Sequence, residues 1–190
     1  LVEVLGAIQS GPAAVEDMRR SMAAILSAFR PGRNDILSRL IRGKRVERIL
    51  FAATKADHIH HEQHARLTAI MAALTREARD RAQFAGAKTD AISIASLRAT
   101  TEDMRMVDGE ELGMVRGRLH DGRSVVTFPG HLPEDPAQLL QPARTGAQAW
   151  LDGDYDMMKF APAPLAIRPG DGPAHIRLDR AAQFLIGGRL

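Results

Sequence analysis

Two chemically different groups of side chains adjoin in the string ILFAATKADHIHHEQH, residues 49–64. Four of the seven histidines lie between positions 58 and 64, and imidazole nitrogens are common metal ligands. Directly before them, Thr54, Lys55 and Asp57 follow an apolar run, and side chains of these types can bind a nucleotide base. A metal site and a base-binding site imply different functional classes, so the spacing within each group has to decide between them.

The histidine spacing does not match that of a zinc protease. The H-E-x-x-H pattern places two histidines four positions apart on one helix face, with a glutamate between them. The string His61-Glu62-Gln63-His64 brings the second histidine one residue early. His60 and His64 are four apart and would share a helix face, so with a third ligand they remain an alternative metal site. The preferred interpretation is the polar first turn of a surface helix, and we predict no metal ligands.

The string Thr54-Lys55-Ala56-Asp57 follows an apolar run of strand length and precedes a helical pattern. In open α/β sheets, ligands bind beyond the carboxyl ends of the strands. A carboxylate at Asp57 can accept two hydrogen bonds from the edge of guanine, and adenine lacks that pair of donors. The Lys55 stem can cover one face of the base, while the Thr54 hydroxyl can tie neighbouring loops together. This is the logic of the [NT]-K-x-D motif of GTPases; the alternative is a plain strand-to-helix turn with Asp57 as its N-cap.

Two further pairs of residues support a guanine-nucleotide site. Ser96 and Leu97 end the next apolar segment, where GTPases place a small-residue loop whose backbone N–H reaches the guanine carbonyl oxygen. Glu3 and Gly6 stand where GTPases carry D-x-x-G, which links Mg²⁺ to the γ-phosphate, although glutamate replaces the aspartate here. The order and spacing are those of a Ras-like sheet from its third strand onward.

The phosphate half of such a site has no counterpart in the sequence. No G-x-x-x-x-G-K-[ST] string occurs, and Gly86-Ala87-Lys88-Thr89 lacks the preceding loop and enters a strand. The chain opens with LVEVLG and no initiator methionine, so we expect a piece of a longer protein with the P-loop upstream. GTP or GDP is then the expected ligand, and Mg²⁺ is expected only with that loop. Catalytic residues stay unassigned, and hydrolysis by these 190 residues alone is not expected.

Composition narrows the class of protein and its partners. The 26 lysines and arginines are interleaved with 23 acidic residues, and the net charge is only +3 although the pI is about 9.8. This distribution argues against a nucleic-acid partner. The absence of cysteine excludes disulfides and thiolate chemistry. No apolar run approaches the roughly 18 residues of a membrane span, and a cytoplasmic protein is expected.

The elements that must position these residues follow an α/β pattern. The predicted elements are a strand at 1–5, helices at 13–29 and 36–41, a strand at 46–53, a long helix at 60–84 and a strand at 89–96. The apolar run at 46–53 is typical of a strand buried on both faces in a parallel sheet. The strand–helix–strand order predicts a parallel pair joined by a right-handed crossover.

The sequence pattern changes near residue 104, from alternating strand and helix signals to short β-like runs. Short β-like runs at 114–119 and 124–128 flank an Asp-Gly turn signal, which predicts a hairpin. The proline-rich stretch 129–173 predicts an irregular covering segment, and apolar spacing at 176–186 predicts a terminal helix.

The predicted fold is therefore α/β, in two parts. Residues 1–103 would form the C-terminal part of a Ras-like P-loop NTPase domain, a partial parallel sheet with flanking helices and a helical insertion at about 12–44. Residues 104–190 would form a small β-rich extension made of the hairpin and the covering segment, followed by the terminal helix.

Six strings of the sequence together resemble the YcjX family: LVEVLGAIQSGPAAVEDMRRSM, AFRPGR, RVERILFAATKADHIHHEQH, ISIASLRATTED, FPGHLPEDP and LDRAAQFLIGGRL. The resemblance covers nearly the whole chain in family order. It implies a bacterial, cytosolic, stress-associated protein with a Ras-like GTPase core and an N-terminal P-loop. It also implies base recognition by Thr54, Lys55 and Asp57, with Ser96 and Leu97 as the second base loop. Aspartate would be expected in place of Glu3.

Two functional hypotheses follow. The first is a guanine-nucleotide-binding switch protein, to which this chain supplies base specificity and which acts on an unidentified protein partner. The second is a non-enzymatic interaction module on a degenerate P-loop fold, with exposed Trp150, Tyr155 and Phe160 as anchors; the simpler role of these aromatics is to pack the tail onto the core.

Overall fold

A computed structural model of the chain describes residues 1–28, 46–150, 155–163 and 174–188. The helix predicted at 36–41 lies outside the described residues. Within them, a parallel pair of strands and a three-stranded antiparallel sheet combine with helices, so the predicted α/β class is confirmed. The boundary predicted after residue 103 remains a prediction.

The first residues are mostly helical rather than a strand. Val2 forms a parallel bridge with Ala53, but α1 (Val4–Gln9) begins two residues later and α2 (Pro12–Ala28) follows Gly11. The strand predicted at 1–5 is therefore wrong beyond Val2. Val4, Leu5 and Ile8 are all buried, because apolar residues at this spacing also form one face of a helical turn.

The parallel pair forms as the apolar runs predict. β1 (Arg48–Ala53) pairs in parallel with β2 (Lys88–Ser93), with Phe51 opposite Ala91. The connection is not one helix over 60–84. Instead, α3 (His64–Leu74) and α4 (Arg76–Phe84) are separated at Thr75, whose hydroxyl donates to Met71 O over 2.7 Å. Such back-bonding to a carbonyl one turn earlier competes with the regular helical pattern.

The antiparallel sheet contains one strand that was not predicted. β4 (Glu110–Arg118) and β5 (Ser124–Thr127) form the predicted hairpin. β3 (Thr100–Val107) pairs with the other edge of β4. Its turn at Asp108-Gly109 has positive φ at both residues, 52° and 88°, which is the type I′ hairpin turn favoured by Asp-Gly. That dipeptide was the available signal for β3.

The last third of the chain is more regular than its prolines suggest. α5 (Ala137–Thr145) lies within the predicted irregular segment and contains Pro142. The terminal helix α6 (Leu178–Ile186) begins later than predicted, because Arg177 has a positive φ of 56°. Ile176 instead forms an antiparallel bridge with Ala95. The chain thus returns to the segment that follows β2 before α6 starts.

The three aromatic residues proposed as exposed anchors pack onto the core. The Trp150 indole N–H donates to Ile8 O over 2.7 Å, and its ring meets Tyr155 edge-on. Phe160 is 7% exposed and lies against Gly117. The exposed-anchor hypothesis is therefore wrong for these residues. Among the described residues, no helix combines the length and apolar composition that a bilayer crossing requires.

Candidate functional site

The T-K-x-D string lies at the carboxyl end of β1 and is fixed to both neighbouring segments. Thr54 directly follows β1; its N–H donates to Val2 O over 2.8 Å, and its hydroxyl donates to the same oxygen over 3.3 Å. On the other side, Ala56 N–H donates to Ile94 O over 3.0 Å. The string is therefore part of the sheet's end and not a free surface turn. A groove beyond such strand ends is where open α/β sheets bind ligands.

Lys55 adopts a backbone conformation that non-glycine residues use rarely. Its φ and ψ are 61° and 35°, in the left-handed region, which costs energy for a residue with a Cβ. Its ammonium pairs with the Glu3 carboxylate, and both side chains are partly exposed. Backbone outliers of this kind cluster at ligand sites. The strained residue therefore sits in the segment where the sequence predicts base recognition.

Asp57 carries a buried carboxylate whose position is fixed by the chain between β2 and β3. The residue is 3% exposed. Its Oδ2 accepts a hydrogen bond from Ala99 N–H over 2.7 Å, and its carbonyl oxygen accepts one from the Thr100 hydroxyl. Within the described part of the chain, Oδ1 has no hydrogen-bond donor. A buried carboxylate with one oxygen held and one free is suited to accept N–H groups from a ligand.

The second predicted base loop lies beside Asp57. Ala95 exchanges hydrogen bonds with Ile176, and Arg98 N–H donates to Ala174 O over 2.8 Å. These contacts hold the loop on both sides of Ser96, which is exposed, and Leu97, which is half-buried. Neither the Ser96 nor the Leu97 amide makes a hydrogen bond to another described residue. Both amides are therefore available to a ligand acceptor.

A cavity of about 500 Å³ joins the two loops. All five predicted base-binding residues line it: Thr54, Lys55, Asp57, Ser96 and Leu97. Its remaining lining is mainly apolar, from β1, Phe160 and one face of α6. Few polar groups in a mostly apolar concave site is the usual constitution of a small-molecule pocket. The structure brings the predicted residues together, and their roles toward a base remain predictions.

The histidines after this string are mostly buried, so the predicted surface helix turn is wrong. His60 is extended, with φ −64° and ψ 147°, and a 3₁₀ turn separates it from α3, which begins at His64. His60 and His64 therefore do not share a helix face. The His58 ring packs edge-on against Phe160. Burial lowers the pKa of His58, although the neighbouring Asp57 charge opposes this shift.

His64 is held as a neutral imidazole. Its Nε2 lies 2.7 Å from Ala56 O, and its Nδ1 lies 3.2 Å from an Arg177 guanidinium nitrogen. Because arginine can only donate, Nδ1 must accept and the proton must sit on Nε2. Burial lowers the pKa of His64, and the Arg177 charge acts in the same direction. His64 thus supports the backbone of the T-K-x-D turn and is committed to protein contacts at both nitrogens.

The described residues around Glu3 supply few oxygen ligands for Mg²⁺. Glu3 pairs with Lys55, and Gly6 lies inside α1. A cavity of about 760 Å³ adjoins Glu3. The carboxylate and the lysine or arginine side chains that line it are those of Glu3, Lys55 and Lys159. Mg²⁺ requires several oxygen ligands, and two lysines around one carboxylate do not supply them. The switch and Mg²⁺ roles predicted for Glu3 and Gly6 remain predictions.

Two contributors to the site were not predicted. Ala99 holds the Asp57 carboxylate through its backbone N–H, and Thr100 holds the Asp57 carbonyl. Every residue except proline has a backbone N–H. The sequence therefore could not show that Ala99 would hold Asp57. Thr100 could have been suspected only after β3 had been recognised.

Comparison with known proteins places the chain in a family. The profile of the YcjX-like family, DUF463, matches residues 1–190. A protein of Escherichia coli (strain K12) named Ras-like GTPase YcjX is 36% identical over 193 residues, which cover 100% of this chain and 39% of that protein. A Shewanella oneidensis protein of the same name is 29% identical over 192 residues, covering 100% of this chain and 38% of that protein. The chain thus spans about two fifths of the length of these curated relatives. Since the family profile covers the chain from end to end, this chain belongs to the YcjX-like family.

Proposed function

We propose that this chain forms the base-recognition half of a guanine-nucleotide site in a Ras-like GTPase. The proposal is supported by the names of the two relatives and by the position of Asp57 at the end of the parallel pair. The observation that carries it is the buried Asp57 carboxylate on the wall of the cavity, which Ala99 holds through Oδ2 and whose Oδ1 accepts from no other described residue. Thr54 and Lys55 complete the first base loop, and Ser96 and Leu97 form the second.

The Asp57 carboxylate would select guanine because adenine leaves its oxygens without hydrogen-bond donors. Guanine presents N1–H and an exocyclic amine to Asp57, whereas adenine presents an acceptor at N1 and no donor at C2. A buried carboxylate that faces adenine would lose its water without gaining hydrogen bonds. Sites built to bind a donor reject analogues that lack it by several orders of magnitude. The Ser96 and Leu97 amides, which bond to no other described residue, would donate to the guanine carbonyl oxygen, a position where adenine carries an amine.

Phosphate binding and hydrolysis belong to the complete protein. The sequence of this chain has no G-x-x-x-x-G-K-[ST] string, so the loop that cradles phosphates and the Mg²⁺ associated with it would come from outside these 190 residues. In this proposal the parallel pair is part of a Ras-like sheet. The cellular setting implied by the family resemblance is a cytoplasmic stress response through a protein partner.

The test is an exchange of base specificity in the complete protein. In Asp57→Asn, the amide oxygen still accepts from Ala99, while the amide nitrogen can donate to the C2 carbonyl of xanthine. We expect GDP affinity to fall by roughly 10- to 150-fold, equivalent to about 1.5–3 kcal/mol for hydrogen bonds to a charged group. Affinity for xanthosine diphosphate should rise. Both are measured by calorimetric titration.

The matched control is Asp80→Asn on the exposed side of α4. It makes the same chemical change away from the cavity, and both affinities should stay at the wild-type values. GDP affinity that is unchanged in Asp57→Asn would refute the role of Asp57 in base recognition.

A further inference from the structure

A second cluster of chemically active side chains lies beyond the base site. His60 and His61 follow the T-K-x-D turn, and Glu102 lies on β3. One nitrogen of each histidine and one Glu102 oxygen all lie within 4.8 Å of one another. His61 Nδ1 is 2.7 Å from Glu102 Oε2, and His60 Nε2 is 3.9 Å from the same oxygen. Two imidazoles and a carboxylate are a donor set that zinc uses.

We propose that His60, His61 and Glu102 bind a divalent transition metal, with Zn²⁺ as the best match. Tetrahedral zinc ligands at about 2.0–2.1 Å from the ion lie about 3.3 Å from one another. Metal binding therefore requires the 2.7 Å pair to open and the 3.9 Å pair to close, each by about 0.6 Å. This set differs from the His60 and His64 pair suggested by sequence spacing. His64 is excluded because both of its nitrogens contact protein groups.

The groups around the three ligands have the arrangement of outer-shell partners. Glu62 Oε2 lies 3.3 Å from His60 Nδ1, the ring nitrogen that faces away from Glu102. That distance suits an ion pair, but the angles do not make a hydrogen bond, so the buried Nδ1 has no hydrogen-bond partner among the described residues. On the other ligand, Arg98 binds Glu102 Oε1 over 3.0 Å and leaves Oε2 toward the histidines. A carboxylate that accepts a hydrogen bond from the far nitrogen of a ligating histidine fixes the orientation and tautomer of the ring. Glu62 is placed to take this role after a small rotation of its carboxylate.

The His60 ring is fixed in place by the sheet. It lies so close to β4 that a Cβ at Gly113 would be 2.6 Å from its Cγ and Nδ1 atoms. The His60 side chain is only 4% exposed, whereas that of His61 is 62% exposed. The cluster is thus half rigid and half open to solvent, so a metal can enter from the His61 side while His60 is already positioned.

A metal here would tie the segment after the T-K-x-D turn to β3. Glu102 is two residues from Thr100 and three from Ala99, the residues that hold Asp57. The proposal does not depend on the proposed function, since zinc binding to these ligands can be measured without any nucleotide. Its physical consequence is that zinc should stabilise the folded protein, because a ligand that binds only the folded state raises its stability.

The test uses the complete protein after metal depletion, titrated with ZnCl₂ against a chromophoric chelator and separately with Co²⁺. We expect one saturable Zn²⁺ site per chain and the visible absorption bands of four-coordinate Co²⁺. His61→Ala and Glu102→Gln should each lower Zn²⁺ affinity at least tenfold and remove those bands. Zn²⁺ should also raise the thermal midpoint of the wild type but not of these variants.

His120→Ala, at an exposed position in the β4–β5 turn, is the control for surface histidines and should bind like the wild type. The metal-free thermal midpoint of each variant checks that it is folded; His61 is exposed, so its replacement should leave that value unchanged. Absence of one-to-one binding in the wild type overturns the proposal. Binding that persists in both ligand variants also overturns it, and the cluster is then a hydrogen-bonded group only.

Discussion

At the scale of single residues, the candidate base site depends on a division of tasks within four positions. Thr54 fixes the turn to Val2, Lys55 takes the left-handed backbone conformation, and Asp57 carries the carboxylate. His64 supports the turn by donating a hydrogen bond from Nε2 to Ala56 O. The buried imidazole is therefore part of what holds the site, and its charge state should affect the whole fold.

The first residue-scale prediction concerns pH. Burial lowers the folded-state pKa of both His58 and His64, while the unfolded value is about 6.5. Below that pH the unfolded chain takes up protons that the folded chain excludes, so stability should fall as pH decreases from about 6.5 toward the lowered pKa values. In His64→Gln, the amide can still donate to Ala56 O, and the loss of stability between pH 7 and pH 5.5 should be smaller than in the wild type. Denaturant unfolding at several pH values measures this.

The exposed His120 provides the comparison for this experiment. His120→Gln makes the same chemical change at an exposed position away from the T-K-x-D turn, and it should keep the pH dependence of the wild type. If His64→Gln also kept the full wild-type pH dependence, the buried neutral imidazole would not contribute to it.

Residue identity predicted the residues that line the candidate site and missed groups that hold them in place. Thr54, Lys55 and Asp57 could be found because their types, their order and the preceding apolar run are all visible in the sequence. The position of Ser96 and Leu97 followed from the second run. The Ala99 amide could not be found, because any residue except proline has that donor. The burial of His60 and His64 was also hidden, since polar residues in a helix's first turn are usually exposed.

At the scale of elements, two glycines of β4 allow aromatic side chains to pack directly against the strand backbone. Gly113 lies under the His60 imidazole, and Gly117 lies under Phe160. A Cβ at Gly117 would overlap the Phe160 ring. Since β4 is the central strand between β3 and β5, these two close approaches join the antiparallel sheet to the segment after β1 and to the cavity wall.

Gly117→Ala should therefore destabilise the protein. Glycine-to-alanine changes in a permissive conformation stabilise slightly, but overpacking against a ring costs about 1–3 kcal/mol. In the Phe160→Ala background the clash is absent, so the same substitution should cost much less. A double-mutant cycle by denaturant unfolding measures the coupling, and additive effects would contradict the packing of Phe160 on Gly117.

The predicted helices and strands were correct where a short stretch of sequence alone determines the element. The apolar runs around β1 and β2 were enough to predict both strands, although β2 is only partly buried. The apolar spacing between them was enough to predict helix, although not its division into α3 and α4. The opening strand failed because Val4, Leu5 and Ile8 satisfy a helical face as well as a buried strand. The break at Thr75 depends on one side-chain hydrogen bond, which an amphipathic pattern does not reveal.

At the scale of the whole molecule, residues 176–186 return to the candidate base site. Ile176 pairs with Ala95 beside the second base loop, and residues of α6 line the same cavity. These contacts join positions more than eighty residues apart in sequence, so no local pattern could have placed the terminal helix against the site. The part of the cavity wall that α6 supplies therefore depends on the tertiary fold.

The most direct test of guanine recognition needs no substitution. The complete wild-type protein is titrated calorimetrically with GDP, inosine diphosphate and ADP. Hypoxanthine keeps the N1–H and lacks the exocyclic amine, so it removes one of the two donors to Asp57. The account predicts that inosine diphosphate binds roughly 10-fold or more weakly than GDP and that ADP shows no saturable binding. Equal affinity for GDP and inosine diphosphate, or ADP binding as tight as GDP, would contradict it.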